Sequence, residues 1–283
     1  MEQFKIAQLQ AGTQTMELNL LLKEVRTQVL RLAALSREGH IASSFSIVEM
    51  LVASLAYING CRSYRASPDL DAGPDMTSRI VLSKGHAAFG FYALQFALGA
   101  IGRDEFDRIC QDGSLYYGHI PFHPDVGFEF GTGSLGHGLP FSVGRCYGEA
   151  LKGVSAPRVC IIGDGEANEG TTWESMLILR KFPGMNLKIL VDGNDSSERA
   201  IPLGNLVERF SSFGIPVTAV NGHEVNDIIG ALAETGQAPG IVACSTKKGY
   251  PLKGMIGNPS WHHRTPTGAE LAAFDAELAG FYA

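Results

Sequence analysis

The sequence predicts an α/β protein with a doubly wound, mainly parallel sheet of five to six strands and helices on both faces. Short apolar runs alternate with helical patterns along the chain, and this alternation is typical of parallel sheets. Two of the runs end in glycine-containing polar turns that suit the carboxyl edge of such a sheet. Because no segment has the composition of a linker, we expect one domain over residues 1–283, with an N-terminal extension at 1–15 and a C-terminal loop and helix at 247–283.

The first half of the chain is mainly helical in its pattern. Apolar residues recur every three to four positions from 16 to 37, which predicts a helix. Residues 39–45 are expected to form a small-residue loop, and Ser46 with Glu49 has the spacing of a capping box before a helix over 47–58. Further along we expect a surface loop at 61–78, a strand at 79–82, helices at 87–98, 104–110 and 134–152, and a long irregular stretch at 112–133.

The second half alternates strand and helix patterns. The expected strands lie at 159–162, 187–191, 217–220 and 241–245. One helix is expected directly after the first of these strands, and three more are expected at 203–213, 224–234 and 268–280. Residues 247–266 are expected to be irregular. Irregular stretches of this length inside compact domains are usually functional.

Composition narrows the class of protein. The net charge of −6 and a pI near 5.8 do not indicate a nucleic-acid partner. The five cysteines are scattered and form no CxxC pair, which favours a reducing compartment. The N-terminus shows no signal peptide, and no uncharged apolar run approaches the ~20 residues that span a bilayer. We therefore expect a cytoplasmic protein.

Asp164 and Asn194 follow two predicted strands that are joined by one helical segment. Since the carboxyl ends of parallel strands share an edge, the two side chains are expected to meet around a divalent cation. A carboxylate, a carboxamide and backbone carbonyls suit magnesium, which commonly binds a diphosphate. The amides of Gly165 and Glu166 are expected to open the following helix, where free N–H groups hold phosphate. Ordinary turns would also explain either half of the pattern alone.

Four histidines lie in polar or glycine-rich loops: His40, His86, His119 and His262. If the loops meet at one sheet edge, the imidazoles suit phosphate binding and proton transfer near pH 7. A histidine is also a common structural hydrogen-bonding residue, so the pattern alone leaves both interpretations open.

Three further motifs carry less weight. Residues 131–136 match GxGxxG, but neither a good preceding strand nor a later acidic residue supports a dinucleotide site. His119 and His123 have the spacing of zinc ligands, but prolines at 121 and 124 break the helix which that spacing requires. Asn194-Asp195-Ser196 is a glycosylation sequon, which has no meaning without secretion.

The strand-end residues resemble a known motif. Gly163-Asp164-Gly165, followed after 28 residues by Asn194, looks like the thiamine diphosphate (ThDP) motif. The flanking segments resemble the transketolase family in particular, in order and nearly in spacing from about residue 25 to 270. These segments are Gly39-His40, Ser83-Lys84-Gly85-His86-Ala87-Ala88, Thr132-Gly133-Ser134-Leu135-Gly136, Gly163 to Ser175, and Trp261-His262.

The resemblance implies the pyrophosphate-binding fold and a set of site residues. In that case magnesium, or calcium in its place, binds Asp164, Asn194 and the carbonyl oxygen of Ser196. The resemblance further implies diphosphate contacts by His86, Gly165 and His262, aminopyrimidine contacts near Gly133 and Leu135, and catalytic roles for His40, His119 and His262. Glu166 is expected to bind the cofactor through the helix amides described above.

The resemblance covers only half of a usual transketolase, the part found as a separate N-terminal subunit in split enzymes. It implies transfer of a two-carbon glycolaldehyde unit from a ketose or its phosphate to an aldose or its phosphate. It also implies a partner chain that supplies the pyrimidine-binding domain, in a heterotetramer or other heteromer, without which this chain is inactive. Two alternatives stay open: another ThDP enzyme subunit, of the 2-oxo acid dehydrogenase or acyloin synthase type, and a non-catalytic ThDP-binding scaffold.

Several positions depart from the family pattern. Ile41-Ala42 follows His40 where Pro-Gly is usual, and the loop at 195–199 is polar. His137 stands where glutamine is usual, and His263-Arg264 stands where Gly-Lys is common. We expect these differences to affect metal binding and the choice of sugar, so a specialised-sugar pathway is one expectation.

Overall fold

The computed structural model describes residues 15–36, 38–61, 76–197 and 201–282. Almost all of the predicted N-terminal extension and most of the predicted surface loop at 61–78 lie outside these residues. The described part of the chain contains a five-stranded sheet. Its strands are β1 (Ile80–Leu82), β2 (Arg158–Gly163), β3 (Leu187–Gly193), β4 (Val217–Asn221) and β5 (Gly240–Ser245).

All strand pairs are parallel, and the spatial order is β1-β2-β3-β5-β4. Helices in chain order are α1 (Thr15–Ser36), α2 (Ile41–Phe45), α3 (Val48–Gly60), α4 (Ala88–Ala97), α5 (Arg103–Phe106), α6 (Gly138–Leu151), α7 (Gly170–Lys181), α8 (Leu206–Ser211), α9 (Val225–Glu234) and α10 (Gly268–Phe281). The predicted parallel α/β class is confirmed.

Helices cover both faces of the sheet. Every residue of β2 is buried, as expected for a strand between two helical layers. Val159 and Ile161 belong to the core shared with α1, α3, α4 and α9, whereas Cys160 and Ile162 belong to the core shared with α6 and α7. This alternation is the two-residue period of a strand, so one strand serves two cores.

Two local predictions in the N-terminal part are wrong. Residues 41–45 form the short helix α2 within the segment expected to be a loop. Ser46 and Glu49 form no capping box, because their side chains have tertiary partners. The Ser46 hydroxyl shares its proton between the Ser43 carbonyl, at 3.0 Å, and Asp192, at 2.8 Å. The Glu49 carboxylate accepts two hydrogen bonds from Arg26, at 2.6 and 2.8 Å.

Other boundaries differ by a few residues. The helix expected at 134–152 begins only at Gly138, the one at 104–110 ends at Phe106, and the one at 203–213 spans Leu206–Ser211. The irregular stretches at 112–133 and 247–266 are confirmed, apart from 3₁₀ turns at Pro124–Val126 and Pro259–His262. At the start of α10, Thr267 and Glu270 form a reciprocal capping box.

Buried charges at the amino ends of the strands are neutralised by side chains or helix termini. Arg158 donates to Glu149 at 2.7 Å and to Glu129 at 2.9 Å, and Arg79 reaches Glu149 at 3.2 Å. Lys188 of β3 donates to Thr235 and to the carbonyls of residues 236 and 238, just beyond the C-terminus of α9. A cation in this position is stabilised by the helix dipole. Burial lowers the pKa of Lys188 to about 8.

No helix in the described part of the chain is both long and apolar enough to cross a membrane. All five cysteines are free thiols.

Candidate functional site

Asp164 lies directly beyond β2, and the segment after β3 reaches across to it. Gly163 of β2 pairs with Asp192 of β3, so the ends of the two strands lie side by side. The Asp164 carboxylate accepts a hydrogen bond from the Gly165 N–H at 2.9 Å, and bonds at 3.0 Å from both the N–H and the hydroxyl of Ser197. The expected meeting of the two strand ends at one edge is therefore confirmed.

Asn194 follows β3 and is held at both ends of its carboxamide. Its Nδ2 donates to Asp192 at 2.8 Å, and its Oδ1 accepts hydrogen bonds from the N–H of Ser196, at 3.1 Å, and from the Ser196 hydroxyl. Asp195 has a φ of 58°, which turns the chain sharply between these residues. The amide oxygen thus faces the Ser196 side of the loop.

These groups fit a hard cation. The described residues hold no cluster of three or more His, Cys, Asp or Glu side chains able to ligate a metal. A cation bound here would need the Asp164 carboxylate, the Asn194 amide oxygen, backbone carbonyls and water. An all-oxygen set with few protein carboxylates is the chemistry of magnesium beside a phosphate ligand. Of the atypical loop at 195–199, Glu198 and Arg199 lie outside the described residues.

The four predicted histidines converge on one edge of the sheet. The ring centroid of His40 lies 5.4 Å from that of His86, 6.0 Å from His119 and 5.6 Å from His262. A fifth ring, that of His263, lies closest to His40, at 4.5 Å. The sequence placed His263 among atypical positions but not in the site.

His40 shows two further signs of a functional position. Its backbone is left-handed, with φ 50° and ψ 12°, a region that is uncommon for residues with a side chain. Its buried Nδ1 has no hydrogen-bond partner within the described structure. Backbone strain and an unpaired buried nitrogen both cost free energy, and such costs concentrate at ligand sites.

Burial and neighbouring positive charges favour the neutral forms of His40, His86 and His262. Burial lowers the pKa of His40 to about 4, with smaller effects from His263 and His262. Burial and then the charge of Lys84 lower the pKa of His86 to about 2. The pKa of His262 is lowered first by the Lys248 charge and then by burial. At neutral pH these rings can therefore both donate and accept hydrogen bonds, and a bound anion would favour their protonation.

Two lysines that sequence reasoning left out lie beside these residues. The Lys84 ammonium donates to Asp192 and lies 3.5 Å from the Ser46 hydroxyl. The Lys248 Nζ lies 3.2 Å from Nδ1 of His262, and burial, together with the Lys84 charge, lowers the pKa of Lys248 to about 8. Their positions in the sequence could have indicated a role in the site, because Lys84 lies within the Ser83–His86 motif and Lys248 lies at the start of the irregular C-terminal segment.

The loop at residues 132–136, which is predicted to contact the aminopyrimidine, packs against the segment that carries His86 and against the turn at Gly165. A Cβ on Gly85 would lie 1.9 Å from Oγ1 of Thr132, so glycine at 85 allows the two loops to touch. The side chain of Leu135 lies 4.0 Å from the Cβ position of Gly165. Gly133 is exposed, with a φ of 142° and open space around its Cβ position. The loop thus lies beside the turn after β2.

Gly165 and Glu166 do not open the following helix, so that prediction is wrong. They lie in a 3₁₀ turn, Asp164–Asn168, and α7 begins only at Gly170. The Glu166 carboxylate is wholly buried and accepts hydrogen bonds from the N–H groups of Gly163 and Gly136, both at 2.9 Å, and from the Ser83 hydroxyl. Burial raises its pKa. This side chain joins three loops, and its oxygens are already occupied by protein donors.

The other atypical residues frame the site. His137 Nδ1 lies 2.9 Å from the Leu135 carbonyl oxygen. Arg264 packs over the Trp261 ring at 4.3 Å and pairs with Glu270 at 2.5 Å, so its guanidinium anchors the loop that carries His262 and His263.

Taken together, the fold and this edge define an open parallel α/β domain that gathers oxygen ligands, neutral imidazoles and lysines at the carboxyl ends of its strands. This is where such domains bind ligands. A sequence model of the family described as "Transketolase, thiamine diphosphate binding domain" matches residues 26–281. The chain belongs to the transketolase family.

Two curated relatives are similar over most of their length. The chain is 29% identical over 258 residues to an apulose-4-phosphate transketolase subunit of Phocaeicola vulgatus, covering 88% of this chain and 89% of that protein. It is 29% identical over 251 residues to the 6-deoxy-6-sulfo-D-fructose transketolase subunit SqwG of a Clostridium species, covering 85% and 88% of the two chains.

Solved structures show the same fold. A transketolase from Leishmania mexicana superposes with a TM-score of 0.74 at 18% identity, covering 98% of this chain. A transketolase from Campylobacter jejuni gives the same score at 20% identity, covering 99% of this chain. This chain spans only about two fifths of those proteins, 42% and 43% of their lengths.

Proposed function

We propose that this chain is the ThDP- and magnesium-binding subunit of a transketolase that transfers a two-carbon glycolaldehyde unit from a ketose or ketose phosphate to an aldose or aldose phosphate. The convergence of the strand-end oxygens with the histidine cluster at one sheet edge carries this proposal. Support comes from relatives named as transketolase subunits, which this chain matches over most of both lengths.

The proposed ligands are those that the family resemblance implies. Asp164, Asn194 and the Ser196 carbonyl would hold magnesium, or calcium in its place. His86, Gly165 and His262 would contact the diphosphate, with Lys248 supplying positive charge beside His262. Gly133 and Leu135 would lie along the aminopyrimidine. Glu166 would act only indirectly, by joining the loops on which these groups lie.

The chain's own contribution to chemistry is proton handling and orientation. ThDP, when bound, supplies the nucleophilic carbon that carries the two-carbon unit. We assign proton transfer at the sugar oxygens to His40, His119 and His262, since neutral imidazoles donate from one nitrogen and accept at the other.

A separate subunit would complete the enzyme. Because relatives named as transketolase subunits match this chain over most of their own length, the pyrimidine-binding domain is proposed to come from a partner chain in a heterotetramer or other heteromer. The names of two relatives point to sugars that carry a phosphate or sulfonate group, so we propose an anionic sugar substrate of a specialised pathway. A cytoplasmic location is proposed as well, in keeping with five free thiols.

Calorimetric titration tests the proposal directly. Magnesium chloride and ThDP are titrated into the wild-type chain, an Asp164→Ala variant and an Asp227→Ala control, each with and without the partner subunit. Asp227 is an exposed residue of α9, so its replacement should leave the binding of magnesium and ThDP unchanged. Asp164→Ala should abolish magnesium-dependent binding of ThDP and leave the circular dichroism spectrum unchanged.

Each alternative function predicts a different result. Turnover of 2-oxo acids without turnover of ketose phosphates would assign the chain to the other class of ThDP enzyme. Binding of ThDP without turnover by the complex would indicate a scaffold role. Absence of magnesium-dependent binding by the wild-type complex would refute the proposed function altogether.

A further inference from the structure

Asp192 is a buried carboxylate whose hydrogen bonds come from four different segments of the chain. It lies at the carboxyl end of β3 and is 0% exposed. Its Oδ2 accepts from the Ser46 hydroxyl at 2.8 Å, from Asn194 Nδ2 at 2.8 Å and from the Lys84 ammonium. Its Oδ1 accepts from the Thr246 hydroxyl. Each carboxylate oxygen offers about two lone-pair sites, so Oδ2, with three donors, is fully occupied.

One of these four bonds has a consequence for the neighbouring metal ligand. The oxygen and nitrogen ends of an asparagine carboxamide have almost the same shape, so packing alone barely distinguishes them. Only the NH₂ end can donate to a carboxylate, and Asp192 has no donor of its own when ionised beside Lys84. The carboxylate therefore holds the NH₂ end of Asn194, and the N–H of Ser196, 3.1 Å from Oδ1, holds the oxygen end, so the two contacts together turn the oxygen toward the Ser196 side.

We propose that Asp192 is a positioning residue that selects the amide orientation of Asn194, so that oxygen and not nitrogen is presented to the divalent cation. This inference rests on the proposed function of the site. Lys84 and Ser46 hold Oδ2, the oxygen that accepts from Asn194, in place, and all four hydrogen bonds of Asp192 come from groups of this chain. Magnesium accepts oxygen ligands in a near-ideal octahedron, so a turned amide would remove one ligand from a set that has few.

The test is a magnesium titration at fixed ThDP, performed on the complete complex with three variants. Asp192→Asn should weaken magnesium binding by about 10- to 100-fold, the usual effect of removing a group that orients a metal ligand. The double variant Asp192→Asn/Asn194→Asp exchanges the two groups and keeps the net charge. Because both ends of the new aspartate are oxygen, orientation no longer matters, and most of the affinity should return.

Thr246→Val is the matched control. It removes another hydrogen bond from Asp192 but none from Asn194, so the magnesium affinity should stay within about twofold of wild type. If Asp192 served folding alone, all three variants would melt at a lower temperature, and the double variant would not recover the magnesium affinity. Equal magnesium affinity of wild type and Asp192→Asn, or equal losses in Asp192→Asn and Thr246→Val, would overturn the proposal.

A measurement on the wild-type protein covers the case in which Asp192→Asn fails to fold, since that change leaves Lys84 without its counter-charge. The side-chain NH₂ protons of Asn194, assigned by their loss in Asn194→Asp, should exchange slowly with solvent because one is bonded to a buried carboxylate. Fast exchange would overturn the proposal. Wild-type protein that binds no magnesium–ThDP refutes the function instead, whereas normal wild-type binding with unaffected Asp192→Asn refutes the role of Asp192 alone.

Discussion

A methyl group added at Gly39 tests how closely the two histidine-bearing loops are packed. Its Cβ would lie 2.6 Å from Cδ2 of His263 and 2.8 Å from the backbone nitrogen of Arg264. These distances fall short of ordinary 3.4 Å contacts by roughly 0.8 and 0.6 Å, so the C-terminal loop must move by about that much. Arg264 is fixed by Trp261 and Glu270, which makes the movement costly.

The expected cost follows from two opposing effects. Overpacking of this kind destabilises by about 1–3 kcal/mol. Replacing glycine with alanine also restricts the unfolded chain, which offsets about 0.4–1 kcal/mol of that cost. We therefore expect Gly39→Ala to lower the free energy of unfolding by about 1–2 kcal/mol. A displacement approaching 1 Å near reacting groups costs up to about 100-fold in rate, so we expect turnover of the complex to fall at least about tenfold.

Urea unfolding of the chain and steady-state turnover of the complex measure the two effects. Gly230→Ala is the control, because Gly230 lies exposed in α9 with open space around its Cβ position. That change should stabilise the protein by up to about 1 kcal/mol, the difference in helix propensity, and leave turnover unchanged. If Gly39→Ala were as stable and as active as Gly230→Ala, the two loops would not be in the contact described here.

Two further predictions concern buried ionisable groups. Between pH 6.5 and 4.5 the unfolded chain takes up protons that His40 and His86 resist, because their pKa values are about 4 and 2, so stability should fall as the pH falls. Asparagine tolerates the left-handed backbone, so His40→Asn should reduce this loss of stability by roughly 1 kcal/mol, after allowance for the half-exposed ring. Urea unfolding of both proteins between pH 7.5 and 4.5 measures the difference. If the free energy of unfolding depended on pH with the same slope in both proteins, this prediction would be contradicted. Arg26→Met should cost about 3–5 kcal/mol, because it removes the guanidinium from the buried Glu49 carboxylate and, among the described residues, leaves only His223 beside it as an ion-pair partner. Arg26→Met/Glu49→Leu should recover part of that loss in guanidinium unfolding. A double variant no more stable than the single one would show that the pair itself is not the cause.

The parts of the site that could be predicted are those set by local pattern and sheet geometry. Asp164 and Asn194 follow apolar runs, and parallel pairing then brings their strand ends together. The loops carrying His40 and His262 could be identified because they interrupt apolar periodicity. Their meeting at one edge does not follow from the sheet alone, because His40 lies between α1 and α2 and follows no strand.

The failures have a common physical cause, which is a partner far away in the sequence. Ser46 has the local spacing of a helix cap, but its hydroxyl bonds Asp192, 146 positions away. Glu166 lies inside the cofactor motif, yet its carboxylate turns sideways to brace Ser83 and Gly136. Lys84 is nearly inaccessible, and lysine is so rarely buried that the sequence gives no reason to expect it there. No local pattern specifies such long-range choices.

The two ends of the sheet divide their tasks, and this has a consequence for how the protein can change. Arg158 and Lys188 neutralise charge at the amino ends of β2 and β3, one strand length from Asp164 and Asn194 at the carboxyl ends. Substitutions more than about 7–10 Å apart with no shared partners usually have additive effects. Substitutions at the amino end can therefore raise the stability of the domain without affecting the site. That added stability can offset destabilising substitutions that alter sugar choice, which makes this domain a good starting point for directed evolution.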